Sequence, residues 1–177
     1  MKTLANLLLF QLTWVAAVGG AGYGMWWPGL VMLGVFMLWH RLAEADWRSD
    51  LTIAGVLSVI GFAADSALLQ AGVLQYATAV PSVHVAPIWI VVLWAGFALT
   101  LNHSMKFLHG KPIWAALFGL LGGPLAYWVA ANVWHAASFG DARTSLIALG
   151  LVWAVLTPAA MALAAHLRRP IGSPAAP

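Results

Sequence analysis

Two small groups of polar side chains in this sequence lie within otherwise apolar stretches, and their residue types suit proton transfer or ligand binding. One is Thr100-Leu101-Asn102-His103-Ser104, inside the long run from Pro87 to Pro112. Imidazole exchanges protons near neutral pH, and the amide and hydroxyl beside it supply hydrogen bonds to a lipid headgroup or a reacting oxygen. At about 100° per residue, a helix would put Trp89, Gly96, Thr100, His103 and Phe107 on one face. Leu99, Asn102, Lys106 and His109 would occupy the neighbouring face. The second group centres on Asp65, about fourteen residues or roughly 21 Å into an apolar segment that starts at Leu51. A charged carboxylate in hydrocarbon costs on the order of several kcal/mol unless it is paired, protonated or hydrated. Asp65 therefore needs a partner, and Tyr127 and Asn132 are the candidates. In one reading Asp65 is a general acid or base, or a proton or cation site. In the other it is a hydrogen-bonded tie between helices.

The elements that must position these residues are membrane helices. Of 177 residues, 63% are hydrophobic and only 7% charged, with a mean hydropathy of +0.89. Eight basic and five acidic side chains cannot cover the surface of a soluble domain of this length. Several of the eleven Trp residues stand where apolar segments end, the level at which indole prefers a bilayer. The absence of Cys excludes disulfides, thiolate metal sites, iron-sulfur clusters and a Cys nucleophile. The basic residues are scattered at segment ends and form no continuous surface for nucleic acid.

Six apolar segments follow one another: Leu4–Ala21, Met25–His40, Leu51–Gly72, Pro87–Asn102, Ile113–Trp134 and Thr144–Leu167. The expected fold is all-α, a six-helix transmembrane bundle in one domain over residues 1–169 with a disordered tail over 170–177. The first segment reads as an anchor, because Asn6, Gln11 and Thr13 interrupt a run that is long for a signal core. The window Arg41–Asp50 is the most charged and is expected to be a solvated loop, with Ser49 or Asp50 capping the third helix. Gly119 and Gly123 form a small-xxx-small pair for close helix packing, and Pro124 and Pro158 mark kinks. Lys2, Arg41, Arg48, Lys106, Lys111, Arg168 and Arg169 fall on one side, against Arg143 on the other, so both termini are expected in the cytoplasm. This topology puts Asn6, Gln11, His40, Asn102, His103, Ser104 and His109 in a cytoplasmic layer. Asp65, Gln70, Tyr76, His84, Tyr127, Asn132 and His135 form an outer layer.

The nucleophile-elbow, phosphate-loop and dinucleotide signatures are all missing. The six His residues show no H-x-x-x-H pair, and Asp65 is the one acid expected well inside a segment, so neither a metal site nor a cofactor is expected. No internal repeat of the kind that many secondary transporters carry is visible.

The chain resembles a family of small bacterial inner-membrane proteins catalogued as a domain of unknown function. The resemblance rests on Asn6 and Gln11, on Asp65-Ser66 followed by Gly72, and on P-I-W-x-x-x-L-W from Pro87 to Trp94. It rests also on T-L-N-H-S from Thr100 to Ser104 and on G-P-L-A-Y from Gly123 to Tyr127. The resemblance implies a companion of lipid-modifying enzymes in the bacterial inner membrane. Together with the residues, it supports a lipid- or isoprenoid-binding membrane enzyme or accessory subunit, with membrane lipids and a membrane protein as partners. Asp65 and His103 would carry the chemistry, and Asn6, Gln11, Asn102, Ser104 and Tyr127 would contact the ligand. A small transporter or channel, or a helper subunit without chemistry, stays open. A closed apolar cavity ending at a polar cluster favours the first reading and a continuous wet path favours transport.

Overall fold

A computed structural model describes residues 1–44 and 46–168. Arg169 and the expected tail over 170–177 lie outside the described residues. Six α-helices carry the fold: α1 Lys2–Gly22, α2 Pro28–Ala43, α3 Trp47–Gln70, α4 Ile88–Ala98, α5 Pro112–Asn132 and α6 Ala142–Leu167. Four of them, α1, α3, α5 and α6, are long and apolar enough to cross a membrane, while α2 and α4 are shorter. Their outward faces are apolar. Leu4, Leu8 and Leu12 on α1, Leu121 and Leu125 on α5, and Leu151 and Val155 on α6 are all exposed. The interior holds Asn6, His40, Asp50, Asp65, Asn102 and Thr157. Apolar outside and polar inside is the distribution that a hydrocarbon solvent imposes.

The helices alternate in direction. Lys2 donates to the Ala43 carbonyl and stands 3.8 Å from Glu44. Arg168 stands 3.5 Å from Asp46, and Ser49 donates to the Leu167 carbonyl at 3.2 Å. The start of α1, the end of α2, the start of α3 and the end of α6 therefore share one end of the bundle. At the opposite end a two-stranded antiparallel ribbon, β1 Leu74–Tyr76 with β2 Ala137–Phe139, pairs Leu74 with Phe139 and Tyr76 with Ala137. The sequence reading expected no strand there. The ribbon ties the connection after α3 to the connection after α5, and Ser145 closes it by donating to the Val73 carbonyl at 2.6 Å.

Three expectations are corrected. The Arg41–Asp50 window is not a solvated loop throughout, because α3 starts at Trp47 and buries Asp50 completely in its first turn. No side chain caps α3, so neither Ser49 nor Asp50 has that role. The fourth segment does not stay helical to Asn102: α4 ends at Ala98, and residues 99–105 form turns followed by a short 3₁₀ helix, Lys106–Leu108. Thr100, His103 and Phe107 thus share no helix face. The cause is local competition for the backbone. Thr100 Oγ1 donates back to the Phe97 carbonyl at 2.6 Å, and Asn6 Nδ2 takes the Leu99 carbonyl at 2.9 Å. His109 Nε2 lies 3.0 Å from the Leu101 carbonyl.

The small-xxx-small expectation fits the packing of α5 on α6. A Cβ at Gly119 would lie 2.2 Å from the Trp153 carbonyl oxygen, and one at Gly123 would lie 2.3 Å from the Trp153 ring. At Gly122 the nearest neighbour would be 3.8 Å away. Gly119→Ala is expected to destabilise the protein by about 1–3 kcal/mol and Gly122→Ala by less than about 0.5 kcal/mol, read from unfolding in mixed detergent micelles. Equal effects at the two positions would refute this account of the α5–α6 contact.

Candidate functional site

The buried face of α3 reads Asp50, Ile53, Ala54, Leu57, Gly61, Asp65 and Ser66, so both ends of one apolar stripe are acids. Fifteen residues separate the two carboxylates, about 22 Å along the helix. Each is the acceptor at the centre of its own polar hub.

At the ribbon end, Asp65 accepts from three elements. Tyr76 of β1 donates to Oδ1 at 2.5 Å, Tyr127 of α5 donates to the same oxygen, and Trp94 of α4 donates to Oδ2 at 2.7 Å. Asp65 retains 1% exposure. The expected partner Tyr127 is present. Asn132 is not a partner, since it is exposed and donates to the Trp128 carbonyl one turn earlier. The indole of Trp94 stacks on Trp153 of α6, with centroids 4.6 Å apart and planes 7° apart. Gly61 permits this, because a Cβ there would fall 2.1 Å from the Trp94 ring. The Asp65 hub thus joins α3, α4, α5 and the ribbon, and reaches α6 through stacking.

At the other end, Asp50 accepts from Asn102 Nδ2 at 3.0 Å on Oδ1 and lies 2.7 Å from His103 Nε2 on Oδ2. His40 Nδ1 is 3.4 Å from the same Oδ2. Asn6 completes the hub. Its Nδ2 donates to the Leu99 carbonyl and lies 3.2 Å from His40 Nε2, while its Oδ1 accepts from Ser104 Oγ at 2.7 Å and Ser104 N at 3.3 Å. Those four contacts fix the orientation of the amide, so His40 Nε2 is the acceptor and its proton sits on Nδ1. One nitrogen, one carboxylate oxygen and one further nitrogen from His40, Asp50 and His103 lie within 4.8 Å of one another. Glu44 Oε1 stands 3.8 Å from His103 Nδ1 on the outer side.

Of the residues singled out in the sequence, Asn6, Asn102, His103 and Ser104 are therefore brought together in one hub, and Asp65 and Tyr127 in the other. Gln11 joins neither, being exposed beside a cavity. Two members escaped the sequence reading. Asp50 falls in the window expected to be a solvated loop, and His40, grouped with Asn6, Asn102 and His103, carries no expected partner.

Between the hubs lies an apolar cavity of about 410 Å³, with α1 and α4 on one side and the α5–α6 hairpin on the other. Phe10, Trp14, Trp89, Phe97, Phe118 and Trp153 give it an aromatic lining, and Gln11, Tyr127 and Thr157 supply polar side chains. Gln11, Phe118 and Leu125 are exposed, so the cavity opens through the apolar exterior. Asp65 does not line it, although two of its donors, Trp94 and Tyr127, do.

Fold and site together define an all-helical protein with four helices of membrane-crossing length, a polar hub at each end and an apolar cavity between them. Residues 3–159 match the family described as protein of unknown function (DUF2878), and the chain belongs to that family. No curated protein and no solved structure matches it.

Asp65 and Tyr127 should prove energetically coupled. In a double-mutant cycle of Asp65→Asn and Tyr127→Phe, each single change is expected to cost about 1–3 kcal/mol and the pair less than their sum. Simple additivity in detergent unfolding would show that the two side chains do not depend on each other.

Proposed function

We propose that this is a multi-pass protein of the bacterial inner membrane that holds an acyl or isoprenoid chain in the cavity between α1, α4, α5 and α6. It would act as an enzyme or accessory subunit of a lipid-modifying system. The observation that carries the reading is the cavity itself, whose size falls in the range of small-molecule sites and whose rim is apolar. A polar substrate would find too few hydrogen-bond partners on such walls, whereas a hydrocarbon chain can enter sideways from the bilayer. The lining between the hubs is dominated by hydrocarbon and aromatic rings, which argues against a continuous wet path for an ion.

In this reading Asp65 acts through its donors, holding the Tyr127 hydroxyl and the Trp94 indole against the chain. Gln11 and Thr157 are further polar contacts within the lining. Phe10 stands one turn beyond Asn6, and Phe97 is the penultimate residue of α4. In this reading the polar end of the ligand reaches toward the hub of Asn6, Asn102, His103 and Ser104, none of which lines the cavity itself. His103 is the proton-transfer candidate of that hub and keeps 9% exposure.

Mass spectrometry of the purified protein is expected to find a co-purifying lipid or isoprenoid. Gly122→Phe, which fills the cavity from a position free of close neighbours, should remove at least about nine-tenths of it while the protein stays folded. An unchanged lipid content in that variant would overturn the cavity as the binding site.

The proposal includes six crossings with both termini cytoplasmic, supported by the alternation of the helices and the charge bias. Because the chain has no Cys, single cysteines can report on it. Gly24→Cys, Ser82→Cys and Asp141→Cys are expected to react with an impermeant maleimide from the periplasm, and Arg48→Cys and Lys111→Cys only after permeabilisation. The reverse pattern would invert the topology, and labelling of all five from one side would remove the crossings.

A further inference from the structure

Four buried side-chain polar atoms among the described residues lack a hydrogen-bond partner, and three of them belong to the Asp50 hub: His40 Nδ1, Glu44 Oε1 and Asn102 Oδ1. Such atoms are costly, about 1–3 kcal/mol each, and a native chain keeps them where something else satisfies them. We propose that His40, Asp50 and His103 bind one divalent transition-metal ion of the zinc class, with Glu44 supporting His103 from outside. This inference does not depend on the cavity or its ligand.

The distances suit the ion. Around a tetrahedral centre with bonds of about 2.0–2.1 Å, ligand atoms lie about 3.3–3.4 Å apart, and His40 Nδ1 is already 3.4 Å from Asp50 Oδ2. His103 Nε2 is 2.7 Å from that oxygen and must retreat by about 0.6 Å as the ion takes the place of the proton between them. That proton is then carried on Nδ1, which faces the otherwise unpartnered Glu44 Oε1 at 3.8 Å. A carboxylate receiving the outer N–H of a metal-bound imidazole fixes its tautomer and raises its basicity. On His40 the proton moves from Nδ1 to Nε2, opposite Asn6 Nδ2 at 3.2 Å, so that one contact is given up and the two groups move apart while Asn6 keeps its bonds to Leu99 and Ser104. Each ring thus changes tautomer without a net loss of a proton.

Two imidazoles and one carboxylate select zinc, iron or cobalt over calcium and magnesium, which prefer oxygen alone. Three protein ligands leave a fourth position, which is the composition of a catalytic site and not of a closed structural one. Among the described residues the nearby cations do not fill the space, since Lys2 lies at Glu44, and Arg168 lies at Asp46 and the Asn102 carbonyl.

The test uses the full chain purified in detergent without chelator. Elemental analysis is expected to find close to one zinc, iron or cobalt ion per chain. After chelation, Co²⁺ titration should give the visible bands of a tetrahedral site. Asp50→Asn should abolish both signals, Glu44→Gln should weaken binding about tenfold, and Asp65→Asn should bind as the native chain does. Glu44→Gln keeps the test decisive if Asp50→Asn fails to fold, as judged by gel filtration and Trp fluorescence. A folded native chain with no transition metal and no cobalt bands, or with Glu44→Gln binding unchanged, would overturn the proposal. Metal uptake is read without lipid, so it fails or succeeds separately from chain binding in the cavity.

Discussion

Two carboxylates buried on one helix are the constraint on which this bundle depends. Removing a charge from water is affordable only when donors converge on it from several directions. Asp65 collects them from α4, α5 and β1, and Asp50 from the stretch after α4, with His40 of α2 close by. In a hydrocarbon surround, helices gain little by burying apolar faces against one another, because lipid tails are as apolar as Leu. Converging hydrogen bonds and the close approach allowed by Gly61, Gly119 and Gly123 supply the specificity instead.

The same constraint accounts for the short α4. Eight of its eleven residues are buried, so it is the central element. Its continuation unwinds because Asp50 and Asn6 draw side chains and carbonyls from residues 99–104 that a regular helix would turn elsewhere. Irregular backbone inside such a protein is tolerated where side chains satisfy it. Here Asn6, Thr100 and His109 take up the carbonyls of Leu99, Phe97 and Leu101.

Much of this was legible from residue order. Hydropathy located six segments, with both ends within about three residues of the helices for four of them. The cost of burying Asp65 called for a partner and pointed to Tyr127 and Asn132, of which Tyr127 is one and Asn132 is not. Thr100–Ser104 stood out because polar residues cluster there, but periodicity alone extended the helix through them and could not register competition from an asparagine about ninety residues away. Asp50 was missed because its neighbours are charged and a window average cannot separate one buried acid from a solvated loop. One signal was available: Asp50 and Asp65 are fifteen residues apart, which at about 100° per residue leaves them only about 60° apart around the helix. Two acids on the same stripe as Ile53, Leu57 and Gly61 point inward together. The ribbon carried no comparable mark, since three-residue strands are too short for alternation to show.

Asn6 has a consequence for the order in which the molecule is made. Three of its four contacts, to the Leu99 carbonyl and to Ser104, are made 93 and 98 residues further along, and the fourth is to His40. No nascent chain that stops short of α4 can satisfy this amide in the same way, although α1 is synthesised long before. Until then His40, 34 residues along, is the one of these partners already made, and the amide oxygen must rely on water. The end of the bundle that carries Asp50 therefore closes late, when the fourth segment arrives and the first helix exchanges solvent for protein.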